Sequence, residues 1–162
     1  MDEFKTYLEQ TRRCLDSKFY YPALAMALAL PDICASLAGI GGKKRERYEN
    51  WLHANPTYLA VEPEWVWLVR CAFLHDGTAT LGDPKFPVKG RVVLFEHPPG
   101  SLHHTVWDAA PGGRFGTVTV EVEELVGCLL DAARRWATRN APLIEQTARN
   151  GELLVVRRHS GD

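Results

Sequence analysis

Residues 3–17 place Phe4, Tyr7, Leu8, Cys14 and Leu15 on one side of a helical wheel, which predicts an amphipathic helix. Residues 20–38 are apolar on nearly every side, which predicts a buried helix. Pro31 should kink or restart it, and Gly39, Gly41 and Gly42 should end it. Residues 43–51 are charged and read as a short helix or helical turn, closed by Pro56. Glu62-Pro63-Glu64 then suits a helix start, and Gly77 its end, so a third main helix is predicted over 62–76. From residue 78 to 120 helical periodicity stops. Turn residues at 82–84, 98–100 and 111–113 separate β-rich runs at 91–95, 102–107 and 115–120. That pattern predicts an antiparallel hairpin or three-stranded meander. A long helix is expected over 121–139, with Val122, Leu125, Val126, Leu129, Ala133 and Trp136 as its stripe. Glu121, Glu123 and Glu124 near its start and Arg134, Arg135 and Arg139 near its end suit the helix dipole. Asn140 and Pro142 should stop it, and residues 153–157 read as a last strand. The expected class is mainly α: one domain over 1–162, a four-helix up-down bundle, with a small antiparallel β insertion at about 85–120 between its third and fourth helices.

Composition narrows the functions. The 162 residues are 46% hydrophobic and 24% charged, which suits one globular domain. Nineteen basic residues against twenty acidic ones give a net charge of −1. That argues against a broad basic surface for duplex DNA, and leaves room for a pocket that holds one phosphate. The start, Met1-Asp2-Glu3-Phe4-Lys5, is unlike a signal peptide. Between Phe19 and Gly42 the only charge is Asp32, and the stretch is long enough to span a bilayer. Its alanine richness and the central Pro31-Asp32 favour a buried helix in a soluble, cytoplasmic protein without a membrane partner. Cys14, Cys34, Cys71 and Cys128 form no CxxC pair, and each sits in an apolar pattern, as small reduced core residues do.

The third helix carries the candidate chemistry. Trp65, Val66, Val69, Ala72 and Phe73 form one apolar stripe, and Trp67, Cys71 and Leu74 a second on the opposite side. A helix apolar on two sides is central in its fold or shared with another subunit. Arg70 lies between the stripes. In a regular α-helix it stands roughly 140° around the axis from His75 and about 7.5 Å along it. A rigid pair would not converge; a His75 that swings inward at the helix end, or two subunits that pool their groups, would overcome that. Structural roles are open too. Arg70 could pair with Asp32, because a carboxylate in an apolar helix needs a partner. Asp32 could instead cap a helix restarted by Pro31, and His75 could be a dipole-favoured helix end.

The segment from Leu68 to His75, Arg70-x4-His75, resembles the motif of the HEPN superfamily, the higher eukaryote and prokaryote nucleotide-binding domains. That motif is an Arg, four to six residues and a His on the third main helix of a four- to five-helix bundle. The predicted helix order resembles it over roughly residues 3–140, as does an apolar second helix with an internal acid, here Asp32. Active members usually carry a polar residue directly after the Arg, where this chain has Cys71. The resemblance implies a metal-independent endoribonuclease of toxin or defence type, without cofactor, acting at a homodimer cleft. Its partners would be RNA or a nucleotide, and an antitoxin or other protein. Its catalytic candidates are Arg70, His75 and Asp32. Imidazole titrates near neutrality and suits proton transfer with a ribose 2′-hydroxyl, while guanidinium suits a phosphate. The alternative is a non-catalytic HEPN-like binding or scaffold module.

Lys44, Arg45 and Arg47, within Lys43-Lys44-Arg45-Glu46-Arg47, are candidate substrate contacts, although a solvated helix start is the more ordinary use of such a run. Arg47, Tyr48 and Trp51 share a helical face, where Trp51 suits a core anchor better than a base platform. His97, His103 and His104 gather with Glu96 around a turn. Adjacent strand residues point to opposite faces, so surface histidines are expected there rather than a metal site.

Overall fold

A computed structural model describes residues 3–57, 61–76, 80–83, 86–95, 104–110 and 113–150, with side chains for 3–57, 61–75 and 121–150. The helices are α1 (Glu3–Asp16), α2 (Tyr20–Leu37), α3 (Lys44–Ala54), α4 (Pro63–Cys71), α5 (Val122–Arg139) and α6 (Ala141–Arg149). A π-helical turn, Ala72–Asp76, extends α4. Strands β1 (Thr80–Asp83), β2 (Phe86–Phe95), β3 (His104–Ala110) and β4 (Gly113–Glu121) lie between that turn and α5.

The hub is α2, which contacts α1, α3, α4, α5 and α6. It buries Ala23, Leu24, Ala27, Leu28, Leu30, Cys34 and Ala35, so the apolar run that is long enough to cross a bilayer forms the inner wall of the core. Burial also pushes the Cys34 thiol well above its usual pKa. Helix α2 runs through Pro31 without a restart. A proline removes one helical N–H. Two tyrosines bond carbonyls in the preceding turn: Tyr7 Oη donates to Met26 O at 3.0 Å and Tyr48 Oη to Leu28 O at 3.1 Å. Truncating a fully enclosed leucine such as Leu28 or Leu129 typically costs about 2–5 kcal/mol.

Two helix ends use the same device. At the end of α2, Gly39 takes φ +64°, Gly39 N–H bonds Ser36 O and Ile40 N–H bonds Ala35 O. This is the Schellman pattern. At the end of α1, Lys18 takes φ 61° and the pattern repeats through Lys18 N–H to Leu15 O and Phe19 N–H to Cys14 O. A non-glycine residue in this conformation is strained by roughly 1–2 kcal/mol. The Lys18 ammonium bonds Glu123 at the start of α5, and Tyr20 Oη donates to the same carboxylate oxygen at 2.8 Å.

The fold class expected from sequence is corrected in two respects. The helices are not a four-helix up-down bundle. Helix α3 buries Tyr48, Trp51 and Leu52 in the core, and α6 buries Ile144. Pro142, which ends α5, stands in the first turn of α6, where its missing N–H is harmless. Nor do the strands form one antiparallel hairpin or meander: β1 with β2 and β3 with β4 are antiparallel neighbours, but the two pairs join through parallel strands. Their order is β1-β2-β4-β3; β2 and β4 pair in parallel from Val88↔Arg114 to Phe95↔Glu121, and β3 is antiparallel to β4. Turn residues mark where strands stop, not which strand lies beside which. The last strand expected at 153–157 lies outside the described residues.

Two measurements test these contacts. Lys18→Gly should be more stable than Lys18→Ala by about 0.5–1 kcal/mol in urea unfolding, since both lose the ammonium and only glycine relieves the left-handed strain. The Tyr7 phenol is pushed up from 10.0 to about 12 by burial. A raised phenol pKa means that the native state holds its proton more tightly. The stability is present in full below pH 10 and is lost as pH rises towards 12. Urea unfolding between pH 9 and 12 should show that fall, shallower in Tyr7→Phe, which loses about 1 kcal/mol at neutral pH for its missing hydrogen bond.

Candidate functional site

Helix α4 starts at Glu62-Pro63, and its inner stripe of Trp65, Val66 and Val69 is buried. This seating turns Arg70 towards α2 and α3. Arg70 Nη2 lies 2.6 Å from Asp32 Oδ2, with side-chain exposures of 13% and 21%. The guanidinium carbon sits 4.9 Å from the Trp67 ring centroid and 5.9 Å from that of Tyr48. Those two rings meet edge to face at 5.2 Å. Arg70 is thus held by one carboxylate and two aromatic faces, from α2, α3 and α4. Both cation–π contact and ion pairing strengthen where water is scarce. Burial drives the Tyr48 phenol far above its usual pKa; the Asp32 carboxylate adds to this and the Arg70 cation opposes it.

The π turn supplies the other half. It winds the chain more loosely over residues 72–76, which lessens the angle around the axis between Arg70, in α4, and His75. Arg70 Nη1 and His75 Nε2 stand 3.0 Å apart. A guanidinium has only donors, so Nε2 accepts and the ring proton of this neutral histidine is assigned to Nδ1. His75 is exposed while Arg70 is mostly enclosed. The cluster therefore runs from a sheltered carboxylate, through a guanidinium, to an imidazole open to water. Arg70 Nε is buried and has no partner among the described residues.

Arg70 contacts both Asp32 and His75 within one chain, and neither the cap proposed for Asp32 nor a second subunit is needed to join them. The second apolar set of α4 is used unevenly: Trp67 packs on Tyr48, Cys71 is half-buried and Leu74 is 36% exposed. The basic candidates on α3 are differently placed. Lys44 is exposed, Arg45 pairs along the helix with Glu49, and Arg47 is half-buried. Tyr48, not these cations, is what α3 brings to Arg70, and Trp51 is a core residue. Sequence reasoning missed Tyr48 and Trp67 as the walls around the guanidinium. The i,i+3 spacing of Trp67 and Arg70 was the available signal. Glu96, His97 and His103 lie outside the described residues; His104 opens β3 and its side chain is not described. Among the described residues no three metal-ligating side chains cluster.

A groove of about 390 Å³ lies between the end of α3 and the start of α4, lined by Leu52, His53, Pro56, Val61, Glu62 and Val66 among others. None of the Asp32, Arg70 and His75 side chains lines it. No family model, curated protein or solved structure matches the chain.

Asp32→Asn keeps the shape of the pair and removes its anion. It should cost about 1–3 kcal/mol in denaturant unfolding, between the values for exposed and enclosed pairs. Glu123→Gln, at the more exposed Lys18 pair, should cost less than Asp32→Asn does.

Proposed function

We propose that the chain is a HEPN-like endoribonuclease whose cluster of Arg70, His75 and Asp32 cleaves RNA without a metal. The observation that carries the reading is the 3.0 Å contact between Arg70 Nη1 and the exposed His75 Nε2. It joins a phosphate-binding fork to a group able to accept a proton, in a π turn, a feature frequent at functional sites.

At rest, Arg70 occupies the lone pair of Nε2. A phosphate oxygen arriving at Nη1 replaces the imidazole as acceptor and frees Nε2. The free nitrogen then takes the proton of the ribose 2′-hydroxyl. The 2′ oxygen bonds to phosphorus, the bond from phosphorus to the 5′ oxygen breaks, and that oxygen takes a proton from water, whose hydroxide takes the proton held by His75 and restores the free ring. The products are a 2′,3′-cyclic phosphate and a 5′-hydroxyl. Arg70, aimed by Asp32 and the two rings, balances the charge that grows on the phosphoryl oxygens. We place this activity in a cytoplasmic homodimer of toxin or defence type, held in check by a partner protein.

A second reading has its own support. Arg70 is largely enclosed and locked to Asp32, as a structural pair in a non-catalytic binding module would be. The two readings separate on one assay. Incubated with mixed RNAs and EDTA, the wild type should yield fragments with 2′,3′-cyclic phosphate ends. His75→Ala should be about 10²–10⁴-fold slower, the usual contribution of an acid–base group. RNA left intact by the wild type, with no change in His75→Ala, would favour the binding module.

A further inference from the structure

Contacts between α3 and α4 run in opposite directions along the two helices. His53, in the last turn of α3, stands 3.7 Å from Glu64 in the first turn of α4. Nearer the start of α3, Tyr48 meets Trp67 and stands beside the Arg70 guanidinium, nearer the end of α4. The helices are therefore antiparallel, and the start of α3 approaches the end of α4. Lys44 lies one turn before Tyr48, at i−4 on the same face of α3. One turn beyond Trp67 and Arg70 come Cys71 and Leu74. The register, carried forward by that turn, sets Lys44 level with the stretch from Cys71 to Leu74, beside the exposed His75.

The charge of Lys44 does nothing for the fold. Lys43, Lys44 and Arg45 open α3, where the helix dipole disfavours cations. Arg45 offsets this by pairing with Glu49, and Glu46 accepts the Lys43 N–H at 3.1 Å. Lys44 is exposed and forms no ion pair among the described residues. Arg47 stands about 100° around the helix from Tyr48, so Lys44 is the basic candidate of α3 that both faces α4 and keeps its charge unpaired. An RNA strand carries one anion per linkage. Arg70 and His75 serve a single phosphate, and the next one along the strand needs a cation outside that pair. Resting on the ribonuclease reading above, we propose that Lys44 binds a phosphate adjacent to the cleaved one. The substrate is then an RNA strand with at least two linkages, gripped at one and cut at the other. Lys44 holds it as a point charge, without reading the base.

The experiment compares wild type, Lys44→Gln and Lys44→Arg. Binding is read by anisotropy with a fluorescein-labelled, unstructured 2′-O-methyl RNA, which has no 2′-hydroxyl to attack, over a series of salt concentrations. Cleavage is read on a dinucleoside monophosphate, which has one linkage, and a trinucleoside diphosphate, which has two. In Lys44→Gln the slope of log affinity against log salt should become shallower by about 0.7, the value for one phosphate contact on a single strand. KM for the trinucleotide should rise with little loss of kcat, and the dinucleotide should be cut as before. Lys44→Arg should restore both. The melting temperature of Lys44→Gln should be unchanged or higher, because a cation has left the first turn of a helix. An unchanged salt slope overturns the proposal. So does an equal loss on both substrates, which would put Lys44 on the cleaved phosphate itself, or a lowered melting temperature, which would assign its charge to the fold. A wild type that binds with a Lys44-dependent slope and cleaves nothing supports the contact while ending the nuclease reading. Cleavage of both substrates that ignores Lys44 does the reverse, and a wild type that neither binds nor cleaves removes both.

Discussion

The ion pair between Arg70 and Asp32 organises the helical half of the molecule. Its two charges come from the middle of α2 and the end of α4, and the rings that shelter it come from α3 and α4. A guanidinium set among aromatic faces keeps part of its favourable surroundings after losing water, and the carboxylate supplies the rest. Three helices are thereby committed to one relative arrangement. Tyr48 links the pair back to α2 through the Leu28 carbonyl, so the same residue that walls the charge also supports the helix near its internal proline.

Around this centre the chain fixes its ends in sequence-local ways. Schellman turns close α1 and α2, and Glu123 at the start of α5 gathers both Lys18 and Tyr20. Further along α5, Arg135 donates to the Pro56 carbonyl at 2.9 Å and Arg139 to Asn55 Oδ1 at 2.6 Å. Helix α5 thus holds the α1–α2 turn at one end and the exit of α3 at the other. Strand β4 ends at Glu121 and α5 begins at Val122, so the sheet enters this frame with no intervening loop.

What could be read from sequence follows from the range of the forces involved. The stripe on α5 is local, and Val122, Leu125, Val126, Leu129, Ala133 and Trp136 are all buried. The glycine that ends α2 is local as well. Asp32, Arg70 and His75 could be named because an acid in an apolar helix and an Arg–His spacing are visible in one dimension. The pairing of Arg70 with Asp32 was open to the same reasoning; the approach of His75 was not, because it involves a winding change at Ala72–Asp76 that has no composition of its own. The core role of α3 was only partly visible: Trp51 suited a core anchor, while Tyr48 stands between the charged Arg47 and Glu49. The parallel pairing of β2 with β4 is a long-range choice that turn residues do not encode.

The π turn also separates residue count from geometry. On a helix, the gap between two side chains is fixed by how tightly the backbone coils between them, so the same pair of residues can face apart or face together without either being replaced. Winding that coil as tightly as the rest of α4, with no residue removed, would leave Arg70 and the imidazole in the chain and turn them away from each other. A search for such pairs keyed to spacing alone would therefore accept sequences in which the groups never meet, and reject longer spacings in which a local loosening of the coil brings them into register.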